Sequence, residues 1–435
     1  MASSNNTNVN VENISNNDNA TCRVPKSEQK STFDVAIVAA GFCICMSGLF
    51  TGASMAMGLN LKQAIIASII GNLILSVYGG AIGMAGAKEG VATSMLARHS
   101  FGRQGSKVIS LVLSITMLGW FSVQVGFFGD TIHAMFPNAG FITNNYFAAL
   151  WGGILMLLTA YFGYKGLSLL SKIAIPLITI TSIIGIVAAV NHTGGWANLA
   201  NMQPVNNIGV GAGIVLVVGS FAGGASAQAD ITRYAKSPKA SWIATIVGYM
   251  IANLFIIVAG FITNMATGAG DLPAAMLALG LGFPALIVLI GAQWTTNDNN
   301  LYTASLGLSN VIKIKKSHIV LTTGVLATIV GALGLSNYFT NWLNILGVGL
   351  PPMAGIILAD YFIINKQKYN FGKGTVYCSW NVLAFASWLI AGIFGYVVKW
   401  GVASLNSLVV GLVVYVILMK TLGQKKTGLV GREEE

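Results

Sequence analysis

Apolar runs of about twenty residues follow one another almost without interruption from residue 34 to residue 420. A bilayer offers no water to backbone N–H and C=O groups, so a chain of this kind must satisfy them internally. Runs of this length without strict alternation specify helices. Twelve spans are expected, at about 34–59, 63–87, 107–134, 146–164, 167–190, 209–232, 241–265, 283–310, 318–335, 341–364, 377–398 and 402–420. Charged residues make up 9% of the chain, against about 25% in soluble domains, and no segment remains for a soluble domain. The first thirty or so residues are rich in Asn and Ser and contain no apolar h-region, so they read as a disordered cytoplasmic tail and not as a signal peptide. The organisation is a tail over 1–33, a single transmembrane domain over 34–420 and a second tail over 421–435.

The formal charge of +11 is a topology signal. With the N-terminus in the cytoplasm, every one of the 24 basic residues except Lys62, Lys172 and Lys399 falls in a cytoplasmic segment. The positive-inside rule then places both termini on the cytoplasmic side of the plasma membrane and excludes nucleic acid as the reason for the surplus. Cys22, Cys43, Cys45 and Cys378 have no disulfide or zinc spacing. No Ser-His-Asp set, metal cluster or phosphate-binding Gly loop is present, and His99, His133, His192 and His318 lie in or near loops. An enzyme is not expected, and neither is an organic cofactor.

Two spans are irregular. Span 1 reads G-F-C-I-C-M-S-G-L-F-T-G-A-S from Gly41, and span 6 reads V-V-G-S-F-A-G-G-A-S-A-Q-A-D from Val217. Gly and small polar residues at mid-span weaken a helix. The two spans open successive five-span blocks, 34–190 and 209–364, and an odd number of spans makes the blocks run in opposite directions. Matching interruptions of this kind point to an inverted-repeat transporter whose site lies where the helices break. The spans over 377–420 fall outside the repeat.

Within span 8, Trp294–Asn300 reads W-T-T-N-D-N-N. The carboxylate of Asp298 alone costs about 2.5–3.5 kcal/mol at a helix centre, so such a block is expected to hold something polar or charged. Thr295 and Thr296 hydroxyls, with carbonyls freed by a break around Cys45–Gly48, form an oxygen set that suits a hard cation such as Na+. Freed amides around Ser220–Ser226 are placed to bond a polar ring. In span 3, Met117, Trp120, Gln124 and Phe128 share one face. Trp120 offers a plane for a flat heterocycle and Gln124 a donor and acceptor for its edge, with Phe221 as the opposite face of a sandwich.

The chain resembles the nucleobase–cation symporter family of purine and cytosine permeases, its bacterial cytosine permease branch most of all. The resemblance runs from about 34 to 420. It rests on G-N-L-I-L at Gly71–Leu75, G-A-K-E-G at Gly86–Gly90, S-F-G at Ser100–Gly102, L-G-W-F at Leu118–Phe121, V-V-G-S-F at Val217–Phe221, W-T-T-N-D-N-N-L-Y at Trp294–Tyr302, Pro351–Pro352 and A-D-Y at Ala359–Tyr361. It implies an all-α, leucine-transporter-type 5+5 fold with substrate between spans 1, 3, 6 and 8. It further implies stacking between Trp120 and Phe221, and polar contacts from Ser220, the backbone at Gly223, and Asn297. It also implies a Na+ site from the carbonyls of Cys45, Gly48 and Ala292 with Thr295 and Thr296. Met46 and Met117 depart from the Ser and Gln of cytosine permeases, whereas Gln124 matches hydantoin carriers. The expected activity is Na+-coupled import of a nucleobase (cytosine or a similar pyrimidine or purine) by alternating access. The alternatives are proton coupling through Asp298, or an amino-acid or amine carrier on the same scaffold.

Overall fold

The first expected span breaks in two. In the computed structural model, which describes residues 22–162, 164–269, 272–309, 311–312, 314–371, 375–423 and 432–433, α1 (Thr32–Cys43) and α2 (Met46–Ala56) meet at a bend of 48°. The break falls on Ile44 and Cys45, where Cys45 takes the extended values φ −140°, ψ 163°. A capping box between Ser31 and Asp34 starts α1.

The helices that follow in the first block are α3 (Leu61–Glu89), α4 (Thr93–Phe101), α5 (Gly105–Met135), α6 (Asn145–Phe162) and α7 (Tyr164–His192). A short α8 (Trp196–Asn201) leads to α9 (Gly209–Ser226) and α10 (Gln228–Thr232). Next come α11 (Pro238–Ile246), a π-helical turn at Val247–Asn253, α12 (Leu254–Met265), α13 (Leu272–Ala278), α14 (Gly282–Ser309) and α15 (Lys316–Ala332). Last are α16 (Phe339–Gly349), α17 (Pro351–Leu358), α18 (Val382–Val397) and α19 (Ala403–Leu418). Among the described residues seven helical segments are long and apolar enough to cross a membrane, and the α1–α2 pair makes an eighth. Shorter apolar helices at 145–161, 317–332 and 382–397 occupy further expected spans, and the polar block lies inside the uninterrupted 28 residues of α14.

Span 6 corrects an expectation. The chain stays helical through Ser220–Ser226, and the interruption falls later, at Ala227 (φ −99°, ψ 16°), whose N–H donates to the Gly223 carbonyl at 2.9 Å. Glycine there lowers helix stability, but α9 is buried and packed along its length, and packing outweighs propensity. Span 10 is interrupted where Pro351 has no N–H to give, and the indole of Trp388 on α18 donates to the Gly349 carbonyl at 2.7 Å.

The helices sort into two packed groups. One, here called the frame, consists of α5, α6, α14 and α15. The other, the bundle, consists of α1, α2, α3, α9, α10, α11 and α12. α7 touches α14 on one side and α12 on the other, and α16 lies on α9. Inside each group backbones approach very closely. A Cβ on Gly52 of α2 would lie 1.9 Å from the Ile257 carbonyl oxygen of α12, and a Cβ on Gly260 of α12 would lie 2.1 Å from the Leu49 oxygen of α2. In the frame, a Cβ on Gly331 would lie 2.5 Å from the Ser122 oxygen. Small residues at these positions permit the contact.

Residues 22–31, read from the sequence as part of the disordered tail, are mostly exposed but tied to the fold at several points; residues 1–21 lie outside the described residues. Arg23 pairs with Glu89 at 3.0 Å, Val24 N–H donates to the Gly90 carbonyl at 2.8 Å, and Lys30 N–H donates to the Tyr234 carbonyl at 2.7 Å. Asp360, at the inner end of span 10, is fully buried and accepts from Tyr369, Tyr415 (2.6 Å) and Asn365 (3.0 Å). His99 of α4 stacks on Tyr369 with ring centroids 3.7 Å apart.

Candidate substrate and cation sites

α5 belongs to the frame and α9 to the bundle, and they face each other without packing closely. Trp120 is 6% exposed on the α5 side of this gap. One turn further along α5, Gln124 is 1% exposed, and neither its Oε1 nor its Nε2 has a hydrogen-bond partner. Leaving an amide so placed costs about 1–3 kcal/mol. Two turns beyond Trp120, Phe127 stacks flat on Phe50 of α2 (3.7 Å between centroids, 5° between planes). Phe339 of α16 meets both Phe127 (5.0 Å) and Trp120 (6.0 Å) edge-on. These rings close the gap toward the C-terminal end of α5. The sequence reading missed them, although Phe127 follows Trp120 at i+7 and so shares its face.

On the α9 side the expected residues are present but otherwise engaged. The Ser220 hydroxyl donates back to the Val217 carbonyl at 2.7 Å. Phe221 meets Phe42 (5.6 Å) and Tyr249 (5.9 Å) edge-on and has no ring contact with Trp120, so the expected sandwich is not formed between the two rings themselves. A Cβ on Gly223 would meet Thr116 Cγ2 at 3.3 Å, Met117 Cε at 3.5 Å and Leu350 Cδ1 at 3.8 Å. Gly223 is thus where α9 comes nearest to the Met117 end of the α5 face.

The polar block of α14 divides over two faces. Asn297 turns to the frame, where its Nδ2 donates to the Phe121 carbonyl at 3.1 Å and lies 3.3 Å from Met156 Sδ. Asp298 follows it: the Thr159 hydroxyl of α6 lies 2.9 and 3.1 Å from its carboxylate oxygens, and the Trp294 indole N–H donates to that same hydroxyl oxygen at 2.9 Å. Half of the block therefore ties α14 to α6. No sequence pattern announces Thr159 as that partner.

Thr295 and Thr296 have another role. Both hydroxyls donate to the Ala292 carbonyl, at 3.0 and 2.8 Å. With their protons directed into their own helix, the hydroxyl oxygens keep lone pairs for an electropositive ligand. α14 touches α2, whose first turn begins at the broken Ile44–Cys45 step. The Cys45 carbonyl, at the N-cap of α2, accepts the Gly48 N–H at 3.2 Å. Cys45, Gly48, Ala292, Thr295 and Thr296 carry only neutral oxygens, and the Ala292 carbonyl already accepts both threonine hydroxyls. No cluster of three or more His, Cys, Asp or Glu suited to a metal occurs among the described residues.

Residues 23–423 match the family described as permeases for cytosine/purines, uracil, thiamine and allantoin. The chain belongs to this family. It is 33% identical over 409 residues to the cytosine permease of Escherichia coli K12, covering 93% of this chain and 94% of that one. It is 23% identical to the purine-uracil permease NCS1 of Arabidopsis thaliana, covering 95% and 79%. The inward-facing conformation of Mhp1 superposes with a TM-score of 0.84 at 18% identity, over 96% of both chains. A closed form of Mhp1 with bromovinylhydantoin bound, described as a nucleobase-cation-symport-1 family transporter, gives 0.76 over 96% and 97%. The protein is accordingly a multi-pass membrane permease of the nucleobase–cation symporter family, with the Mhp1 fold, and not an enzyme.

Proposed function

We propose that this permease imports a nucleobase, cytosine or a similar pyrimidine or purine ring, together with Na+. The observation that carries the reading is the buried, unpartnered amide of Gln124 one turn from Trp120 on α5. The ring stacks on Trp120 and its polar edge meets Gln124. Phe221 turns from its present position to close the sandwich. Ser220 and the Gly223 backbone contribute acceptor contacts, and Asn297 a further polar contact, once the ring is in place. Na+ binds between α2 and α14 through the carbonyls of Cys45, Gly48 and Ala292 and the hydroxyls of Thr295 and Thr296. The protein sits in the plasma membrane with both termini cytoplasmic, residues 34–420 forming one transport unit. No organic cofactor takes part.

The energetics need only one ion. One Na+ moving down 100 mV yields about 2.3 kcal/mol, and a tenfold gradient adds about 1.4 kcal/mol. Together these sustain accumulation by roughly a few hundredfold. Coupling requires that the ion favour the arrangement that binds the ring; the broken step at Ile44–Cys45, in the bundle, supports this reading.

The test is thermal stabilisation of the purified protein by a panel of nucleobases and hydantoins, each with and without Na+. A shift that needs Na+ supports both parts. A shift without Na+ dependence removes the cation assignment, and no shift with any ring removes the substrate class. One observation favours a second reading, in which a proton is the coupled ion: Asp298 is buried with the Thr159 hydroxyl as its partner. Uptake that ignores external Na+ at fixed pH selects it.

A further inference from the structure

The substrate face of α5 has two unlike ends. Gln124 stands at one, with a free donor and a free acceptor side by side. Met117 stands seven residues away, about 10 Å along the helix, with Trp120 between them. At the Met117 end the side-chain atoms nearest to Gly223 are carbon: Met117 Cε and Thr116 Cγ2 of α5, and Leu350 Cδ1 from the step between α16 and α17. Hydroxyls on that side are already engaged, Thr116 with the Val112 carbonyl at 2.9 Å and Ser220 with the Val217 carbonyl at 2.7 Å. Gly223 lies within a continuous stretch of α9, so its N–H belongs to the helix ladder.

From this asymmetry we infer that the permease selects rings with one hydrogen-bonding edge and an alkyl group on the opposite edge, in preference to the bare ring. The inference rests on the reading that a flat heterocycle stacks on Trp120. A single amide reads two adjacent ring positions. In a uracil held at N3–H and O2, the N3–H donates to Gln124 Oε1 and O2 accepts from Nε2. The bond opposite that edge is C5–C6, which then points toward Met117. An unsubstituted ring reaches across only part of the distance between Gln124 and Met117 and leaves apolar surface uncovered. A 5-methyl or 5-ethyl group covers it. The Thr116 and Ser220 hydroxyl protons at that end are already donated to backbone carbonyls, so a second ring carbonyl there receives no hydrogen bond from either.

The experiment is a binding series on the purified wild-type protein in Na+, using pairs that differ only by alkyl groups opposite the read edge: uracil, thymine and 5-ethyluracil, and hypoxanthine with 8-methylhypoxanthine. Affinity is expected to rise about fourfold per carbon added until the end is full. Met117→Gln is expected to abolish that rise, whereas Met117→Leu retains it. If bare rings bind as tightly as alkylated ones, or if Met117→Gln leaves the ratio unchanged, the two-ended site is wrong while the transport reading stands. If no ring in either series binds, the heterocycle reading itself fails. The wild-type series does not depend on any variant folding, so the inference is decided even where Met117→Gln is poorly expressed.

Discussion

Replacing Gln124 by Leu should stabilise the empty permease while disabling it. The wild-type amide is 1% exposed and both of its polar atoms lack partners. Burial of a polar group in that condition costs about 1–3 kcal/mol, and Leu fills nearly the same space without the cost. Over about 400 residues the unfolding entropy near 2.1 cal/mol/K per residue turns this into a rise of roughly 1–4 °C in thermal midpoint. The bound state should move the other way. Two hydrogen bonds are lost and the ring's edge is left facing a methyl group, so affinity should fall by about 2–4 kcal/mol, or roughly 30- to 1,000-fold. The assay is one melting experiment on wild type and variant, with and without a saturating nucleobase, in Na+. The reasoning predicts a higher midpoint without ligand and a much smaller ligand-induced shift. A midpoint that drops in the absence of ligand would mean that Gln124 is satisfied by the protein and has no ligand to read. An unchanged ligand shift would remove it from the substrate site.

Three further outcomes follow from other parts of the molecule. The double variant Thr295→Ala, Thr296→Ala removes two oxygens from the cation set, so half-maximal Na+ should rise at least tenfold while uptake at saturating Na+ persists; an unaltered Na+ response would place the ion elsewhere. Gly52→Ala puts a carbon 1.9 Å from the Ile257 oxygen and forces α2 and α12 apart, which should cost about 1–3 kcal/mol or more. Gly291→Ala, with nothing within 4 Å, should be neutral or stabilising, and equal melting of the two variants would refute the packing argument. Burial lowers the pKa of His99, in the connection between the second and third spans, to about 4. The unfolded chain therefore binds this proton more readily, and stability should decline as pH falls from about 6.5 toward 4. His99→Gln should flatten that decline across the window, and an equal slope in both proteins would show that other groups dominate it.

The positions of the apolar helices and the broken first span were legible because bilayer thickness and unsatisfied backbone leave few choices. Gln124 and Trp120 were legible as neighbours on one helix face because their spacing is fixed by the helix itself. What was not legible depends on partners far apart in sequence. Gly and small residues mark where a helix is weak, but not which weak point yields; span 6 gave way at Ala227 and not at the Gly223–Gly224 pair. The polar block was read as one unit, yet consecutive helix positions differ by about 100°. Thr295 and Thr296 therefore turn their hydroxyls to their own helix while Asn297 and Asp298 tie α14 to α5 and α6. Residues 22–31 look like the rest of a polar tail until Arg23 meets Glu89, 66 positions away.

The distribution of close backbone approaches has a mechanical meaning. Gly52 against Ile257 and Gly260 against Leu49 lie wholly inside the bundle, and Gly331 against Ser122 lies wholly inside the frame. Where α9 meets α5, at Gly223, an added Cβ would meet only side-chain carbons, the nearest at 3.3 Å, and no backbone atom. Surfaces keyed together by main-chain atoms resist sliding, because any displacement drives backbone into backbone. A surface padded with methyl and thioether groups can shear, each group changing rotamer as its neighbour passes. The molecule is therefore stiff within two blocks and lubricated between them, and the substrate gap lies on the lubricated plane.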